Sequence, residues 1–317
     1  MKAMTYGRYG PPEVLACEDV SQPGIKDDEL LVQVEASSLN YGDVALLKGS
    51  PFVVRFSSGI RKPKHRILGG DLAGRVVMVG DSVDQFKIGD EVFGDIGSHG
   101  FGAYAEYAVA PQKALALKPD NCSFPEAAAV PQAAVVALQG LRDAGQLKAG
   151  QAVLVNGASG GIGPFAVQIA KAFGAEVTGV CSSRNLDLVR SLGADHVIDY
   201  AREEFTEGGE QYDLIFDIVA NRSVSNYARA LKPEGTYVAC AFNGTALILG
   251  PLISRRGKKV IALIHKPNQA DLYAMKELLE SGQVRPVIDS CYPLQELDDA
   301  VRHFETGNTR GKVIITV

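Results

Sequence analysis

The chain has 317 residues, of which 46% are apolar and 22% are charged, a composition that is typical of a globular protein and excludes a disordered chain. At about 150 residues per domain, this length predicts two domains. There are 32 Lys and Arg against 37 Asp and Glu. The chain therefore lacks the excess of basic residues that would indicate a nucleic-acid-binding protein. The 34 glycines follow no collagen period and predict tight turns or close backbone approaches.

The cysteines and the N-terminus indicate a reducing compartment. The five cysteines are widely spaced and form no CxxC pair, so neither a disulfide framework nor a zinc ribbon fits them. The first residues, MKAMTYGRYG, contain neither the apolar core of a signal peptide nor Arg/Ser-rich transit character. We therefore expect a cytoplasmic protein whose mature chain starts at Met1.

The first 120 residues predict a β-rich domain. Alternating or Val-rich runs lie at 29–36, 73–79 and 104–109, and Gly and Pro separate them at short intervals. This pattern is typical of a small β-barrel. An Ala/Val-rich helix is expected next, over 125–140, with Pro131 inside it.

From Gln151 onward, short apolar runs alternate with helical patterns. The runs lie at 152–155, 176–181, 196–200, 213–219, 236–241 and 259–264, and helices are expected near 164–173, 185–192 and 223–231. Strands separated mostly by helices predict an α/β fold with a parallel, doubly wound sheet. The tail, 270–317, offers two helices and a final strand, and we expect it to pack back onto the N-terminal domain.

One segment, 236–254, carries no charge over 19 residues, which is near the length of a membrane-spanning helix. Asn243, Gly244, Gly250 and Pro251 interrupt it, and its start follows a Pro-Glu-Gly turn. We expect a strand followed by an apolar loop and no membrane span. A buried contact between subunits is the other possibility.

The most specific local motif is NGASGGIG at 156–163, which follows one strand and opens a helix. Read as A-x-G-x-x-G, it uses Ala158, Gly160 and Gly163. Gly160 would let the backbone approach a pyrophosphate at the helix N-terminus, and Gly163 would let the helix pack closely on the strand. We favour a dinucleotide-binding turn over a glycine-rich turn without a ligand.

The second strand of this unit distinguishes between cofactors. It ends in CSSRN (181–185) and offers no carboxylate for a ribose 2′-OH until Asp187. Small hydroxyl groups beside the guanidinium of Arg184 suit a 2′-phosphate, so we expect NADP(H) rather than NAD(H). These residues also suit the start of the next helix, with Asn185 as its N-cap.

Several stretches resemble the zinc-free quinone oxidoreductase (zeta-crystallin-like) branch of the medium-chain dehydrogenase/reductase superfamily. They include YGPPEVL (9–15), SLNYGD (38–43), ILGGDLAGRV (67–76), VLVNGASGGIG (153–163) and GNTRGKVIITV (307–317). The resemblance covers essentially the whole chain. It implies a GroES-like β-barrel catalytic domain over 1–121 and 265–317, and a Rossmann NADP-binding domain over 122–264.

The same resemblance implies that no metal is bound. Zinc alcohol dehydrogenases of the superfamily carry a catalytic Cys where this chain has Asn40, and a His where it has Gly70. The cysteine lobe that binds structural zinc would follow Gly94 and is absent from the sequence. Only Asp71 keeps the character of a ligand, and one carboxylate cannot build a site that needs three protein ligands.

Carried over by position, the branch's cofactor contacts fall on three regions of this chain. They are Ser159, Gly161 and Ile162 beside Gly160 in the glycine turn, Ser182 and Tyr200 around the adenosine ribose and 2′-phosphate, and Asn308, Thr309 and Arg310 in the tail. Arg184 joins them for its charge and position. A Tyr that ends a strand, as Tyr200 does, is also commonly a packing residue with an exposed hydroxyl.

Without zinc, hydride transfer is best matched to an acceptor that is already electrophilic, such as a quinone or an α,β-unsaturated carbonyl. The protein then has to orient the acceptor and donate a hydrogen bond to the developing oxyanion. The candidates are Asn40 and Tyr41, with Asp43 holding their loop. The alternative is that Asn-Tyr-Gly-Asp forms only a turn.

The expected function is therefore NADPH-dependent reduction of a small-molecule quinone or enone, in a protein that forms a homodimer and binds no nucleic acid. The alternative is an NADPH-binding adaptor or sensor with little catalytic activity. A segment at 49–66 is longer than the matching loop of the simplest quinone oxidoreductases and combines five cations with Phe52 and Phe56. It is either a flap over the active site or a solvated surface loop, and the second interpretation is slightly favoured.

Overall fold

The computed structural model describes residues 1–240 and 257–317. The end of the strand expected at 236–241 and most of the uncharged segment 236–254 lie outside the described residues. The chain divides into two compact units: the first comprises 1–133, 267–280 and 286–317, and the second comprises 134–266 and 281–285.

Strands and helices have the following bounds in the described residues. The strands are β1 (Lys2–Thr5), β2 (Ala16–Asp19), β3 (Glu29–Ser38), β4 (Asp71–Val79), β5 (Glu91–Asp95), β6 (Tyr107–Pro111), β7 (Leu115–Leu117), β8 (Ala152–Asn156), β9 (Glu176–Cys181), β10 (His196–Asp199), β11 (Tyr212–Asp217), β12 (Leu231–Ala239), β13 (Lys259–Ala262), β14 (Ile288–Pro293) and β15 (Lys312–Thr316). The α-helices are α1 (Tyr41–Lys48), α2 (Val54–Ser58), α3 (Phe124–Ala128), α4 (Pro131–Leu138), α5 (Gly163–Ala172), α6 (Leu186–Ser191), α7 (Val224–Ala230), α8 (Gln269–Glu280) and α9 (Leu297–Glu305).

The first unit is built on one mixed sheet with the order β14-β15-β3-β4-β5-β7, and β6 also pairs with β3. Every pairing in it is antiparallel except that of β14 with β15. The central strand β3 alternates in sequence, and Leu30, Val32 and Val34 are buried on one face of it. This alternation is the period of a strand with one face in the core.

The tail returns to this sheet, which confirms that it packs on the N-terminal part of the chain. β15 runs antiparallel to β3 with Ile314 opposite Ser38, and the Leu39 N–H donates to the Val313 carbonyl over 2.9 Å. This register brings the first residue of β15, Lys312, to the end of β3. The end of β3 is followed directly by the Asn-Tyr-Gly-Asp turn.

The second unit contains the predicted doubly wound sheet. Its described strands are all parallel and follow the order β10-β9-β8-β11-β12-β13. The strand order reverses between β8 and β11, and such a switch point is where open α/β sheets bind their ligands. The glycine motif follows β8 at this point.

Two expectations differ from the observed elements. The helix predicted over 125–140 consists of α3 and α4, which are separated at Pro131, and a π-helical turn over Gln139–Ala144. Proline has no N–H for the preceding turn, so a new helix begins there. The first unit extends to Ala133 rather than ending at 121, because α3 packs on β3 and β4.

Candidate active site

The turn between β3 and α1 holds the predicted catalytic residues Asn40, Tyr41 and Asp43. Asn40 is extended, and its backbone N–H donates to Asp43 Oδ2 over 3.0 Å. A carboxylate three residues into a helix satisfies an N–H that would otherwise have no partner and also interacts favourably with the helix dipole. The bond fixes the backbone on which Asn40 and Tyr41 are carried.

The Asn40 side-chain amide is held from both ends. Its Nδ2 donates to Asp71 Oδ2 over 2.8 Å, and its Oδ1 accepts from Lys312 Nζ over 2.5 Å. Lys312 also contacts the Leu39 carbonyl oxygen at 3.3 Å. An amide that accepts from an ammonium and donates to a carboxylate has a fixed orientation, and one N–H of Nδ2 remains available.

Asp71 is the centre of this buried network. Its Oδ1 accepts from the Gln132 backbone N–H over 3.0 Å, and its Oδ2 accepts from Ser38 Oγ over 2.6 Å as well as from Asn40. The Lys312 ammonium lies 3.6 Å from Oδ2, and the two side chains are 2% and 0% exposed. Both carboxylate oxygens therefore have partners, and the nearby cation belongs to the protein itself.

Sequence reasoning missed Lys312. The available signal was a lysine at the start of a strand, KVIIT, whose next three residues are all buried. A buried lysine requires a partner, which favours an interior carboxylate such as Asp71. The identity of that partner depends on the pairing of β15 with β3, which no local pattern encodes.

Burial changes the proton affinities of the neighbouring groups. It raises the pKa of Asp43 to about 6, against the hydrogen bond from the Asn40 N–H. It raises the pKa of Asp95 to about 7, and the adjacent charge of Asp71 adds to this. Burial also lowers the pKa of Lys312, although the carboxylates around it oppose the change. Asp43 and Asp95 thus hold protons at pH values where exposed carboxylates are ionised.

Tyr41 is the exposed member of the turn. Its side chain is 73% exposed, and its phenol makes no hydrogen bond to the described residues. It directly follows Asn40, whose amide is buried except for a small exposed fraction. The turn thus carries an exposed phenol O–H next in sequence to a fixed side-chain amide, and both groups can donate hydrogen bonds.

The residues at the positions of zinc ligands do not fit a metal. The side chains of Asn40 and Asp71 are hydrogen-bonded to each other. At Gly70, a Cβ atom would already lie 3.3 Å from Asp95 Oδ1, so there is little room for a larger side chain. Among residues 1–240 and 257–317, no group of three or more His, Cys, Asp or Glu side chains could hold a metal ion. The Lys312 ammonium would repel a divalent cation at Asp71.

The glycine turn of the second unit has the geometry that a dinucleotide requires. The N–H groups of Gly157 and Ala158 donate to the Val180 carbonyl over 3.1 and 3.0 Å, which ties the turn to β9. A Cβ at Gly163 would lie 2.1 Å from the Gly157 carbonyl oxygen, so helix packing requires glycine there. At Gly160 an added Cβ would meet only one atom, at 3.8 Å, so packing does not require this glycine. Gly160 therefore leaves open space before the N-terminus of α5, and helix N-termini are favourable places for phosphate groups.

Asn185 links the second strand's loop to this turn. Its Nδ2 donates to Ser159 Oγ over 2.8 Å, and its buried Oδ1 has no partner among the described residues. Asn185 occupies the N-cap position of α6, as expected, but its side chain makes no hydrogen bond to the first turn of that helix. Its role in positioning Ser159 was not predicted from the sequence.

The residues expected around the ribose lie at the ends of β9 and β10. Ser182 is half-buried, Ser183 and Arg184 are exposed, and the Tyr200 N–H donates to the Cys181 carbonyl over 3.2 Å. Gly161 and Ile162 complete the turn before α5. The structure thus places these predicted cofactor residues within one unit.

The structure also adds a carboxylate that sequence spacing missed. Ser183 Oγ donates a short hydrogen bond to Asp199 Oδ2, and the Ala201 N–H donates to Asp199 Oδ1 over 3.0 Å. Arg202 lies 3.4 Å from the same carboxylate. The Ser183 hydrogen bond lowers the pKa of Asp199. Asp199 reaches this place from β10, whereas the sequence argument considered only the residues that follow β9.

Asn308, Thr309 and Arg310 lie in the first unit, in the loop that leads into β15. The Arg310 N–H donates to Asp289 Oδ1 over 2.7 Å, and the Asn308 N–H lies 3.2 Å from Thr306 Oγ1. Their side chains are exposed or half-buried.

A second buried network was also missed, at the ends of β8, β11 and β12. Asp217 Oδ1 accepts from Asn156 Nδ2 over 2.8 Å, and Oδ2 accepts from the Tyr237 hydroxyl over 2.7 Å. The Tyr237 ring stacks on that of Tyr227 at 4.6 Å between centroids. Because Asn156 begins the glycine motif, this network fixes the strand end from which the turn departs.

Known proteins match this chain over nearly its full length. Residues 26–120 match the alcohol dehydrogenase GroES-like domain, and residues 192–315 match the zinc-binding dehydrogenase domain. The 2-methylene-furan-3-one reductase of Solanum lycopersicum is 38% identical over 99% of this chain and 79% of its own length. The chloroplast envelope quinone oxidoreductase homolog of Arabidopsis thaliana is 34% identical over 99% and 98%.

Solved structures confirm the fold class, a GroES-like domain with a Rossmann-like parallel sheet. The quinone oxidoreductase from Coxiella burnetii superposes with a TM-score of 0.91 at 31% identity, over 100% of this chain and 99% of that one. Identity above 30% over complete chains, together with the two matched domains, is sufficient to assign the family. The chain belongs to the quinone oxidoreductase branch of the medium-chain dehydrogenase/reductase superfamily and is an NAD(P)-dependent oxidoreductase of that kind.

Proposed function

We propose that this protein reduces quinones or α,β-unsaturated carbonyls with hydride from NADPH, and that it does so without a metal. The observation that carries the proposal is the Lys312–Asn40–Asp71 network. It occupies the place of a catalytic metal site with an internal cation and leaves no free carboxylate oxygen. A site of this kind can donate hydrogen bonds but cannot act as a Lewis acid on an alcohol, so an acceptor that is already electrophilic suits it.

The residues of the second unit support the cofactor assignment. The space above Gly160 and the N-terminus of α5 would hold the pyrophosphate, and Ser159, fixed by Asn185, lines the turn. Ser182, Ser183 and Arg184 would face the 2′-phosphate, and the Asp199 carboxylate beside them already accepts from Ser183 and Ala201. NADPH supplies the hydride when it is bound. We assign Tyr200 to the adenosine side and Asn308, Thr309 and Arg310 to a contact from the tail.

The turn at Asn40 supports the acceptor end. The Tyr41 phenol and the remaining Asn40 N–H would donate to the carbonyl oxygen of the acceptor, where negative charge develops during reduction. Lys312 strengthens the Asn40 donor, because an ammonium bonded to the amide oxygen polarises the amide. The Asp43 carboxylate keeps the turn in place by accepting a hydrogen bond from the backbone N–H of Asn40. The proton that completes the reduction comes from water.

The names of the relatives agree with this class of acceptor. They include a 2-methylene-furan-3-one reductase, an NADPH-dependent alkenal/one oxidoreductase and a quinone oxidoreductase homolog. All three names denote a carbonyl conjugated to a double bond or a quinone. The shared feature is an electrophilic carbon that accepts hydride without prior activation.

The experiment is to mix the protein with NADPH and a panel of quinones, enals and enones, and to follow the nicotinamide absorbance. We expect turnover with several of them, no loss of activity after dialysis against a chelator, and slower turnover with NADH. Tight NADPH binding with no turnover across the panel would contradict the enzyme function. Loss of activity on chelation that zinc restores would contradict the metal-free mechanism.

We also infer a homodimer in the cytoplasm. The dimer is implied by the resemblance to the branch, and the location by five free cysteines, which suit a reducing compartment. In the described residues no helix is both long and apolar enough to span a bilayer. Light scattering that gives only the mass of one chain would refute the dimer, and fractionation of cells would test the location.

A further inference from the structure

The segment from Phe52 to Arg66 has an inverted arrangement of polar and apolar side chains. In and around the short helix α2, four of the exposed side chains are large and apolar. Phe52, Val53, Phe56 and Ile60 are 57% to 66% exposed. Phe52 and Phe56 are one helical turn apart, and their rings meet edge to face at 5.7 Å between centroids. We call these four residues the apolar surface.

Polar contacts hold the inner side of the segment to the unit. The Tyr9 hydroxyl donates to the Gly59 carbonyl over 2.5 Å and lies 2.9 Å from Ser58 Oγ, and Ser58 is buried. Arg55 Nε donates to the Gly49 carbonyl over 2.9 Å, and its guanidinium lies 4.6 Å from the centre of the Tyr9 ring. The segment is thus anchored by polar groups, and its apolar groups face outward. Water is a poor environment for such a surface.

All the charged residues that the segment itself contributes are basic. Residues 44–70 contain six of the chain's Lys and Arg residues and no Asp or Glu, in a chain whose net charge is −5. Lys48 pairs with Glu305, and Arg66 pairs with Glu18 over 2.9 Å. Arg61, Lys62 and Lys64 are exposed, and no carboxylate among the described residues forms an ion pair with them. We call these three residues the basic rim.

We propose that the apolar surface and the basic rim together dock the protein on an anionic phospholipid bilayer. Exposed aromatic and aliphatic side chains insert at the level of the headgroups, and lysine and arginine beside them pair with anionic lipids. A second copy of this chain is a poor occupant, because two identical basic rims would face each other. The apolar side chains are carried by the short helix α2, which contains Phe56, and by the residues that flank it.

The proposal requires that binding be weak, reversible and dependent on charge. Four apolar side chains and three cations provide two separate contributions to binding, and neither is large enough to hold the protein on the membrane permanently. The electrostatic part must weaken with salt, because the screening length falls from about 10 Å at 0.1 M to about 3 Å at 1 M. The inference does not rest on the acceptor or the cofactor proposed above.

The test is co-sedimentation of the full chain with phosphatidylcholine vesicles that contain or lack phosphatidylserine. We expect binding only to vesicles with phosphatidylserine, and release at high salt. Arg61→Gln/Lys62→Gln should lower the partition coefficient about 30-fold, since each cation near an anionic surface contributes about a factor of five. Phe52→Ser/Phe56→Ser should lower it as well without changing the thermal midpoint, because both rings are exposed.

Matched controls lie in the same unit but outside the segment. Ile88 is 64% exposed and Lys87 is also exposed, so Lys87→Gln/Ile88→Ser removes one cation and one exposed apolar side chain together. This variant should bind vesicles as the wild type does. The proposal is overturned if the wild type does not sediment with phosphatidylserine vesicles, as expected for a surface that binds an acidic protein or covers a substrate. It is also overturned if all the variants bind equally.

Discussion

Lys312 and Asp71 form a buried ion pair, with Nζ 3.6 Å from Oδ2, and both contact the same Asn40 amide. The two charges are removed from water together, so each depends on the other for compensation. This pair makes the acceptor turn both a functional and a structural element. The predictions below separate these two roles.

Lys312→Met removes the cation and leaves Asp71 buried without its charge partner. We expect the free energy of unfolding to fall by about 3 to 5 kcal/mol, the usual loss when one partner of a buried pair is removed. Urea unfolding at neutral pH measures it. The double variant Lys312→Met/Asp71→Asn should recover most of the loss, because no uncompensated charge remains. A loss below about 1 kcal/mol for the single variant would show that water reaches the site.

Asp95→Asn should change how stability depends on pH. Burial raises the pKa of Asp95 to about 7 in the folded protein, so the folded state holds its proton more tightly than the unfolded state does. Stability contributed by this group is therefore present at low pH and is lost as the pH rises from about 4 to about 7. The introduced amide oxygen can still accept the Gly97 N–H, which now donates to Asp95 over 2.7 Å.

The Asp95→Asn protein should accordingly be more stable than the wild type at pH 8, by about 4 kcal/mol, and similar to it near pH 4. Thermal unfolding across this range measures the difference. Asp84→Asn serves as the control, because Asp84 is exposed. If the two variants show the same pH dependence, Asp95 is ionised without penalty in the folded protein.

Arg184→Ala should weaken NADPH binding at least tenfold and leave NADH binding nearly unchanged, because a charge-assisted bond to the 2′-phosphate is absent with NADH. Fluorescence titration of both cofactors measures the effect. Arg190→Ala is the matched control, since Arg190 lies on α6 and pairs with Asp187 over 3.0 Å. An equal loss for both cofactors would refute the assignment of Arg184.

Asn185→Ala should weaken NADPH and NADH binding alike. It removes the donor that holds Ser159 in the glycine turn, which both cofactors share. The loss of one buried hydrogen bond predicts about a tenfold effect. Ser159→Ala should give a similar loss, and the double variant should add little to either. Additive losses would mean that the two residues act independently.

Tyr41→Phe removes only the exposed phenol O–H. We expect kcat/KM for the acceptor to fall about 100- to 1,000-fold, the range for loss of one donor to a developing oxyanion, while the Kd for NADPH stays constant. Tyr273→Phe is the control, because Tyr273 is also exposed and lies on α8. If kcat/KM is unchanged, the side-chain N–H of Asn40 Nδ2 would be the only group of this turn that donates to the acceptor.

Local motifs allowed the glycine turn to be predicted, because its requirements are local. Gly163 is required by the Gly157 carbonyl six residues earlier, so the spacing alone indicates the packing. The doubly wound sheet was predictable for the same reason, since each strand and helix has its own periodicity. The family resemblance singled out Asn40 and Asp71, and the structure shows that their side chains are hydrogen-bonded to each other.

The partners of those residues could not be predicted in the same way. Lys312 meets Asn40 across 272 residues of sequence, through the register of β15 on β3. Asp199 reaches Ser183 because β10 lies beside β9, which places the ends of two strands together. In both cases the contact depends on sheet pairing, and sequence patterns of strands do not specify their neighbours.

The position of Lys312 in the chain also sets the order in which the molecule can be completed during synthesis. The strands that surround Asp71 emerge first, the whole second unit follows, and the strand that carries the compensating cation comes last. Until then, a nascent first unit holds a carboxylate that it cannot bury without cost. Vectorial folding should therefore finish the second unit earlier, and the first unit should close around its charge only when the tail arrives.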